Sequence, residues 1–165
     1  MTPSFSIRGA TAADAEFVLE LFSRPHVRQF ALGPRSADDF AAGLTRSGKE
    51  NAIIERDGVP FGNLVLGTAL PWLLEFQVVA VAENGRGGGR FALGYALWRA
   101  FEDLKVNRVY LEVVAKNVRA RKLYERAGFR AEGFFRDGYR ADDGTFHDMV
   151  PYAMLACDPR HSLLK

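Results

Sequence analysis

Seven residues in the middle of the chain, Asn84-Gly85-Arg86-Gly87-Gly88-Gly89-Arg90, set four glycines and two arginines between an apolar run and a stretch of helical periodicity. Glycine lets a backbone come close to a ligand, and a helix start offers N–H groups that have no intrahelical partner. The segment therefore suits an anion such as a phosphate, the plain alternative being a turn that needs positive φ angles. Two phosphate-binding patterns fail on the residues. A P-loop requires Lys and then Ser or Thr after its last glycine, and Arg90-Phe91 stand there instead. Gly87 to Ala92 fits the dinucleotide pattern G-x-G-x-x-A, with Glu112 lying 20 residues beyond Ala92. A dinucleotide fold, however, opens its first βαβ unit with these glycines, whereas here they lie mid-chain and the sequence ends in two strands with no helix between them. Metal chemistry is not expected: Cys157 is the single cysteine, and His26, His147 and His161 are too scattered for a ligand spacing.

The elements that position this loop follow from periodicity. Ser4 to Arg8 alternates, and Thr11-Ala12-Ala13-Asp14 resembles a capping box opening a helix whose Ala15, Val18, Leu19 and Phe22 share one face, ending before Pro25. Ser36 starts a weaker helix through Phe40 and Leu44, closed near Gly48. Asn51 to Arg56 and Val59 to Leu66 flank the hairpin signature Asp57-Gly58. Leu73 to Val81, interrupted only by Glu75 and Gln77, reads as a central strand covered on both faces. Beyond the glycines, Leu93, Leu97, Ala100, Phe101 and Leu104 fall at helical spacing, and Arg108 to Val114 is a β-branched strand. Asn117 caps a further helix that Gly128 closes. Phe129 to Phe135 and Thr145 to Leu155 read as two last strands, the second carrying a Pro151 that argues for an edge or a bulge.

Composition bounds the function. A chain of 165 residues with 48% hydrophobic and 25% charged content accommodates one globular domain and is not a disordered tail. With 22 basic against 20 acidic residues, the net charge of +2 offers little to a nucleic-acid backbone. No apolar run approaches the roughly 18 residues that cross a bilayer, and the start lacks a signal-peptide pattern, so the chain reads as cytoplasmic and without a membrane partner.

Two motifs carry a family resemblance. Asn84-Gly85-Arg86-Gly87-Gly88-Gly89 resembles, in all but its first position, the acyl-CoA loop Q/R-x-x-G-x-G/A of the GCN5-related N-acetyltransferase (GNAT) family. Asn117 to Phe129 resembles that family's second signature, N-x-x-A-x-x-L-Y-x-x-x-G-F. The order of strands and helices from Phe5 to about Leu155 is also similar to the family's. The resemblance implies a single acyl-CoA N-acyltransferase domain over residues 1–165 with a mixed α/β fold. Its sheet would be strongly twisted and mostly antiparallel, with helices on both faces and a splay between the fourth and fifth strands.

By the same resemblance the chain transfers an acetyl group from acetyl-CoA to a primary amine by direct attack, without a covalent enzyme intermediate. Tyr124 matches the tyrosine that protonates the departing thiolate, and a phenol of pKa about 10 holds its proton at pH 7; at helical spacing it is equally a core aromatic. Glu112 matches the Leu-Glu-Val strand of the ribosomal-protein N-terminal acetyltransferases, where that glutamate is the base; enclosure between strands is how a carboxylate is tuned for such work. Glu75 is the alternative base and a candidate substrate contact. Val79 and Val81 lie where a bulged strand turns backbone N–H groups to the acetyl end, and Asn117 meets the pantetheine arm. Arg86, Gly87, Gly88, Gly89, Arg90 and Arg121 are expected at the cofactor. Tyr139 and Phe134 are expected at the acceptor, for which a protein or peptide N-terminus ranks before an amino sugar or other small amine. A homodimer is allowed. A non-catalytic acyl-CoA-binding module on the same scaffold is the competing reading, and it has no need of Tyr124 and Glu112.

Overall fold

The computed structural model of the chain describes residues 3–159, and these form one eight-stranded sheet between two sets of helices. The strands are β1 (Phe5–Gly9), β2 (Lys49–Arg56), β3 (Val59–Leu70), β4 (Leu73–Val81), β5 (Arg108–Val114), β6 (Arg130–Ala131), β7 (Phe135–Arg140) and β8 (Phe146–Leu155). The helices are α1 (Ala15–Ser23), α2 (Pro25–Arg28), α3 (Ala37–Leu44), α4 (Gly88–Trp98) and α5 (Val118–Ala127). Strands run in the order β1-β2-β3-β4-β5-β8-β6, with β7 also on β8. Every pairing is antiparallel except β4 with β5. This is the mixed α/β arrangement, mostly antiparallel, that the sequence implies. None of its helices is long and apolar enough to cross a membrane among the described residues.

Two cores lie on opposite faces. One joins Leu64, Leu66, Leu74, Phe76, Leu111, Tyr152 and Met154 to α4 and α5; the other joins Ile53 and Ala80 to α1, α2 and α3. Burial of such side chains is the main stabilising term, at about 25 cal/mol per Å² of apolar surface. Local signals place most ends. Thr11 and Asp14 form the capping box ahead of α1, Asp57-Gly58 turns β2 into β3, and Gly128 closes α5 at φ 106°.

Several features differ from the sequence reading. The inner face of α1 carries Leu21, fully buried, in place of Leu19. Pro25, placed after the first helix, starts the one-turn α2 from its first position, where a missing N–H costs nothing. The fourth helix of the fold stops at Trp98 and continues as a π-helical turn over Arg99–Asp103, which leaves Leu104 partly exposed. Finally, the strand expected over Phe129 to Phe135 is a two-residue β6 followed by a gap and then β7. The gap lies opposite Pro151 on β8. The Pro151 carbonyl accepts from Glu132 N at 3.0 Å, and a strand residue's N and C=O point to the same edge, so the absent N–H of proline leaves no return bond there. His161 lies outside the described residues.

Candidate active site

The cleft begins where two strands stop pairing. β4 and β5 run parallel through only three rungs, Leu73 with Arg108, Leu74 with Val109 and Glu75 with Tyr110. On its other edge β4 follows β3, but Phe76 pairs with Leu66 and Val78 with Val65, which leaves Gln77 as an extra residue. Such a bulge reverses the alternation of side chains. Leu74 and Phe76 therefore face the α4/α5 core before it, whereas Val79 and Val81 face that core after it. The backbone follows the same logic. Ala82 N donates to Phe61 O on β3, so the neighbouring Val81, and Val79 two residues earlier, turn their N–H and C=O away from β3 and into the wedge toward β5.

At the end of β4 the glycine segment makes the turn that starts α4. Gly85 and Gly87 take φ of 78° and 93°, the left-handed region open to glycine. Gly88 is pressed onto the sheet: a Cβ there would lie 2.6 Å from the Phe61 ring. Gly89 is open by comparison, its added Cβ meeting Leu123 at 3.7 Å, and it lines the cleft. The free N–H groups of the first turn of α4 thus stand at one end of the wedge, where the helix dipole also favours an anion.

α5 supplies the opposite wall. The Asn117 side chain caps it, accepting from Ala120 N at 3.2 Å, and Asn117 borders the cleft. About two turns on, Tyr124 points inward with its ring against Phe76, Phe129 and Tyr152 at centroid distances of 6.2, 6.0 and 6.2 Å. It is 6% exposed and lines the cleft, and its hydroxyl has no hydrogen-bond partner among the described residues. Burial pushes its phenol pKa well above the ordinary value, so it holds its proton across the neutral range. Glu112 lies on the β5 side of the same space. Its carboxylate accepts from the Tyr110 hydroxyl and is solvent-exposed, so the enclosure between strands expected for it is absent.

The far end of the cleft is bounded by Tyr139 and Met149 and by the segment from His26 to Leu32. The Tyr139 hydroxyl is buried without a partner among the described residues, and its ring stacks on His147 at 6.4 Å. Asp148 is spent on the backbone, accepting from Asp137 N at 3.0 Å in the irregular stretch of β7. Two bonds fix the α1–α2 junction to the open end of β4: Arg24 donates to Ala82 O at 3.0 Å, and His26 Nε2 lies 2.9 Å from Val81 O.

The whole space measures about 490 Å³ and gathers Val79, Val81, Gly89, Asn117, Glu112, Tyr124 and Tyr139. Other expected residues sit elsewhere. Arg121 donates to the Tyr152 hydroxyl and to Ala115 O, both at 3.2 Å, which makes it a brace inside the fold. Arg86 pairs with Glu83 at 3.1 Å. Glu75 belongs to the last paired rung and accepts from Gln77 at 2.7 Å, and Phe134 is more than half exposed, away from the cleft. Gly87 and Gly88 shape the loop from behind, with Arg90 in the first turn of α4. Arg119 and His26 join the lining. The bulged Gln77 does so too, and the signal for it was a broken alternation, Glu75-Phe76-Gln77 followed by five apolar residues.

Residues 5–130 match the family model described as an acetyltransferase (GNAT) domain. Over 77 residues the chain is 43% identical to "Putative ribosomal N-acetyltransferase YdaF" of Bacillus subtilis, covering 47% of this chain and 42% of that protein. Over 74 residues it is 36% identical to spermidine N(1)-acetyltransferase of Vibrio cholerae, covering 41% of this chain and 43% of the relative. The matches thus span less than half the length of these curated relatives. In three dimensions, 92% of the chain superposes on 95% of the spermidine N-acetyltransferase from Vibrio cholerae in complex with CoA and spermine, with a TM-score of 0.80 at 21% identity, a likeness of fold.

Proposed function

The chain belongs to the GNAT acetyltransferase domain family, and from that premise we propose that it is an acetyl-CoA-dependent N-acetyltransferase acting on a primary amine. The observation that carries this reading is the wedge itself. Two strands part beside a helix N-terminus, and the opened space holds a buried, protonated phenol at Tyr124 and a carboxylate at Glu112. Acetyl-CoA supplies a thioester whose acyl carbon an uncharged amine attacks directly.

The protein's part is positioning and proton handling. The N–H groups at the start of α4 hold the pyrophosphate, and the wedge-facing Val79 C=O and Val81 N–H pair with the pantetheine arm as a strand would. The Val79 N–H also stabilises charge developing on the carbonyl oxygen. Glu112, directly or through one water, takes the proton that the ammonium must lose before its lone pair is free. As the carbon–sulfur bond breaks, the Tyr124 hydroxyl gives its proton to the thiolate; no covalent bond to the protein forms. Among acceptors, a protein or peptide N-terminus ranks first and an amino sugar or other small amine second. Tyr139, whose hydroxyl has no partner among the described residues and which borders the far end of the cleft, meets the incoming amine.

Acetyl-CoA consumption, with product masses, across peptide N-termini, polyamines, amino sugars, aminoglycosides and amino acids tests this directly. Acetyl-CoA at 100 times its dissociation constant is expected to add about 2.7 kcal/mol of stability. A thermal shift with NAD and none with acetyl-CoA overturns the reading, and turnover of amino sugars without any peptide reverses the order of acceptors.

A further inference from the structure

Beside the cleft, on the α1/α3 face of the sheet, lies a second hollow of about 220 Å³. Leu32, Gln77 and Val78 border both spaces, so the two are neighbours separated by little more than the bulge and one loop side chain. The floor of the second is polar in a way the surrounding core is not. Asn63 is 2% exposed and donates through Nδ2 to Asn51 Oδ1 at 2.7 Å and to Ala52 O at 3.0 Å. That pairing orients the Asn51 amide, so that its Nδ2 hydrogens have no protein partner among the described residues. At the rim, Arg46 and Lys49 form no ion pair among the described residues. The single carboxylate there, Asp39, already accepts from Arg35 N at 2.9 Å. An amide pair held in the middle of an apolar sheet face, with Asn63 buried and Asn51 half-buried, costs stability unless its remaining valences are used.

We infer that this hollow is an acceptor subsite for a side-chain carbonyl-oxygen group, amide or carboxylate, carried one or two residues from the amine that enters the cleft. Asn51 Nδ2, Lys49 and Arg46 supply donors to that oxygen, and Gln77 Oε1, left free because Gln77 Nε2 is given to Glu75, accepts an amide N–H where one is present. The extra residue of the β4 bulge thereby serves both spaces, linking the point of acetyl transfer to recognition of the rest of the acceptor. Two unpaired cations against one engaged carboxylate oppose a polycation, so the subsite selects peptide-like amines over polyamines. The inference rests on the acetyl-transfer reading only for which end of the acceptor enters the cleft.

Binding, measured apart from turnover, tests it. The C-terminally amidated tripeptides Ala-Asp-Ala, Ala-Asn-Ala and Ala-Leu-Ala, together with spermidine, are titrated into the full chain, following the side-chain amide signals of Asn51, Asn63 and Gln77 by NMR. The Asp and Asn peptides are expected to shift those signals and to bind at least tenfold more tightly than Ala-Leu-Ala or spermidine. Asn51→Leu and Gln77→Leu should each abolish that preference; Lys49→Ala, on the exposed rim where folding is not at stake, should weaken the Asp peptide selectively. Equal affinity for all four probes, shifts confined to cleft residues, or an unchanged preference in Lys49→Ala and Gln77→Leu overturns the subsite. An absence of acetyl transfer to every amine overturns the enzymatic reading instead, since the binding result stands without it.

Discussion

Glu75 on β4 and Tyr110 on β5 form the last rung at which these two strands still pair, and everything assigned to catalysis lies beyond it. The pairing zips the lower halves of the strands into the core, while the upper halves diverge around the cleft. Glu75, despite its place in the centre of the sheet, thus belongs to the hinge of the wedge. Glu112, two residues past Tyr110 and bonded to its hydroxyl, belongs to the opening.

Tyr124→Phe should lower turnover by about 10²- to 10⁴-fold, the range of a positioned acid, with acetyl-CoA affinity nearly unchanged. The phenol contributes no side-chain hydrogen bond to the fold among the described residues, so the melting temperature should hold. Steady-state kinetics with calorimetry checks both, and wild-type turnover assigns Tyr124 to core packing alone.

For Glu112→Gln the expected effect is on the pH dependence. A base must be deprotonated to work, so wild-type kcat/KM should fall as the pH drops, and the amide should flatten that acidic limb while lowering the plateau. A profile of unchanged shape and height transfers the role to bulk water.

Gly88 and Gly89 should respond differently to the same substitution. Gly88→Val forces a branched side chain into the Phe61 ring and should cost about 1 to 3 kcal/mol of stability. Gly89→Val has room within the fold but intrudes on the cleft, so it should leave the melting temperature in place and weaken acetyl-CoA binding at least tenfold. Thermal unfolding with and without acetyl-CoA separates the two.

Arg121→Ala should act on stability. Loss of its bonds to the Tyr152 hydroxyl and Ala115 O should cost about 1 to 3 kcal/mol. Acetyl-CoA affinity should change less than twofold, as measured by titration.

Acid stability should depend on Asp14. Arg8 holds its carboxylate at 2.6 Å with help from Thr11, which lowers its pKa from 3.8 to about 2. Because the folded value lies below the unfolded one, the stabilisation of about 2 kcal/mol is complete above pH 4 and is lost as the pH falls toward 2. Urea unfolding of Asp14→Asn across that window should show a correspondingly flatter curve.

Most of the fold was legible because its signals are local. Thr11, Ser36 and Asn117 cap helices, Asp57-Gly58 turns a hairpin, and Leu73 to Val81 has the composition of a covered strand. The residues of the cleft that sequence motifs describe, Asn117, Tyr124 and Gly89, were legible for the same reason. What escaped depends on partners far along the chain. The break between β6 and β7 answers to Pro151, about 20 residues away, and the commitment of Arg121 answers to Tyr152. The polar floor formed by Asn51 and Asn63 needs the β2–β3 register to bring the two side chains together.

The odd residue in β4 makes chain length there a matter of parity. Pairing Gln77 as an ordinary rung would turn Val79 and Val81 to the opposite face, whereas removing it would make Phe76 and Val78 consecutive rungs on Leu66 and Val65 and leave Leu74, Phe76, Val79 and Val81 facing the same core. Deletion of position 77 should therefore spare the core and remove only the bend that the bulge puts into the strand. A graft of the same length keeps these faces only if its surplus residue lies at the same rung.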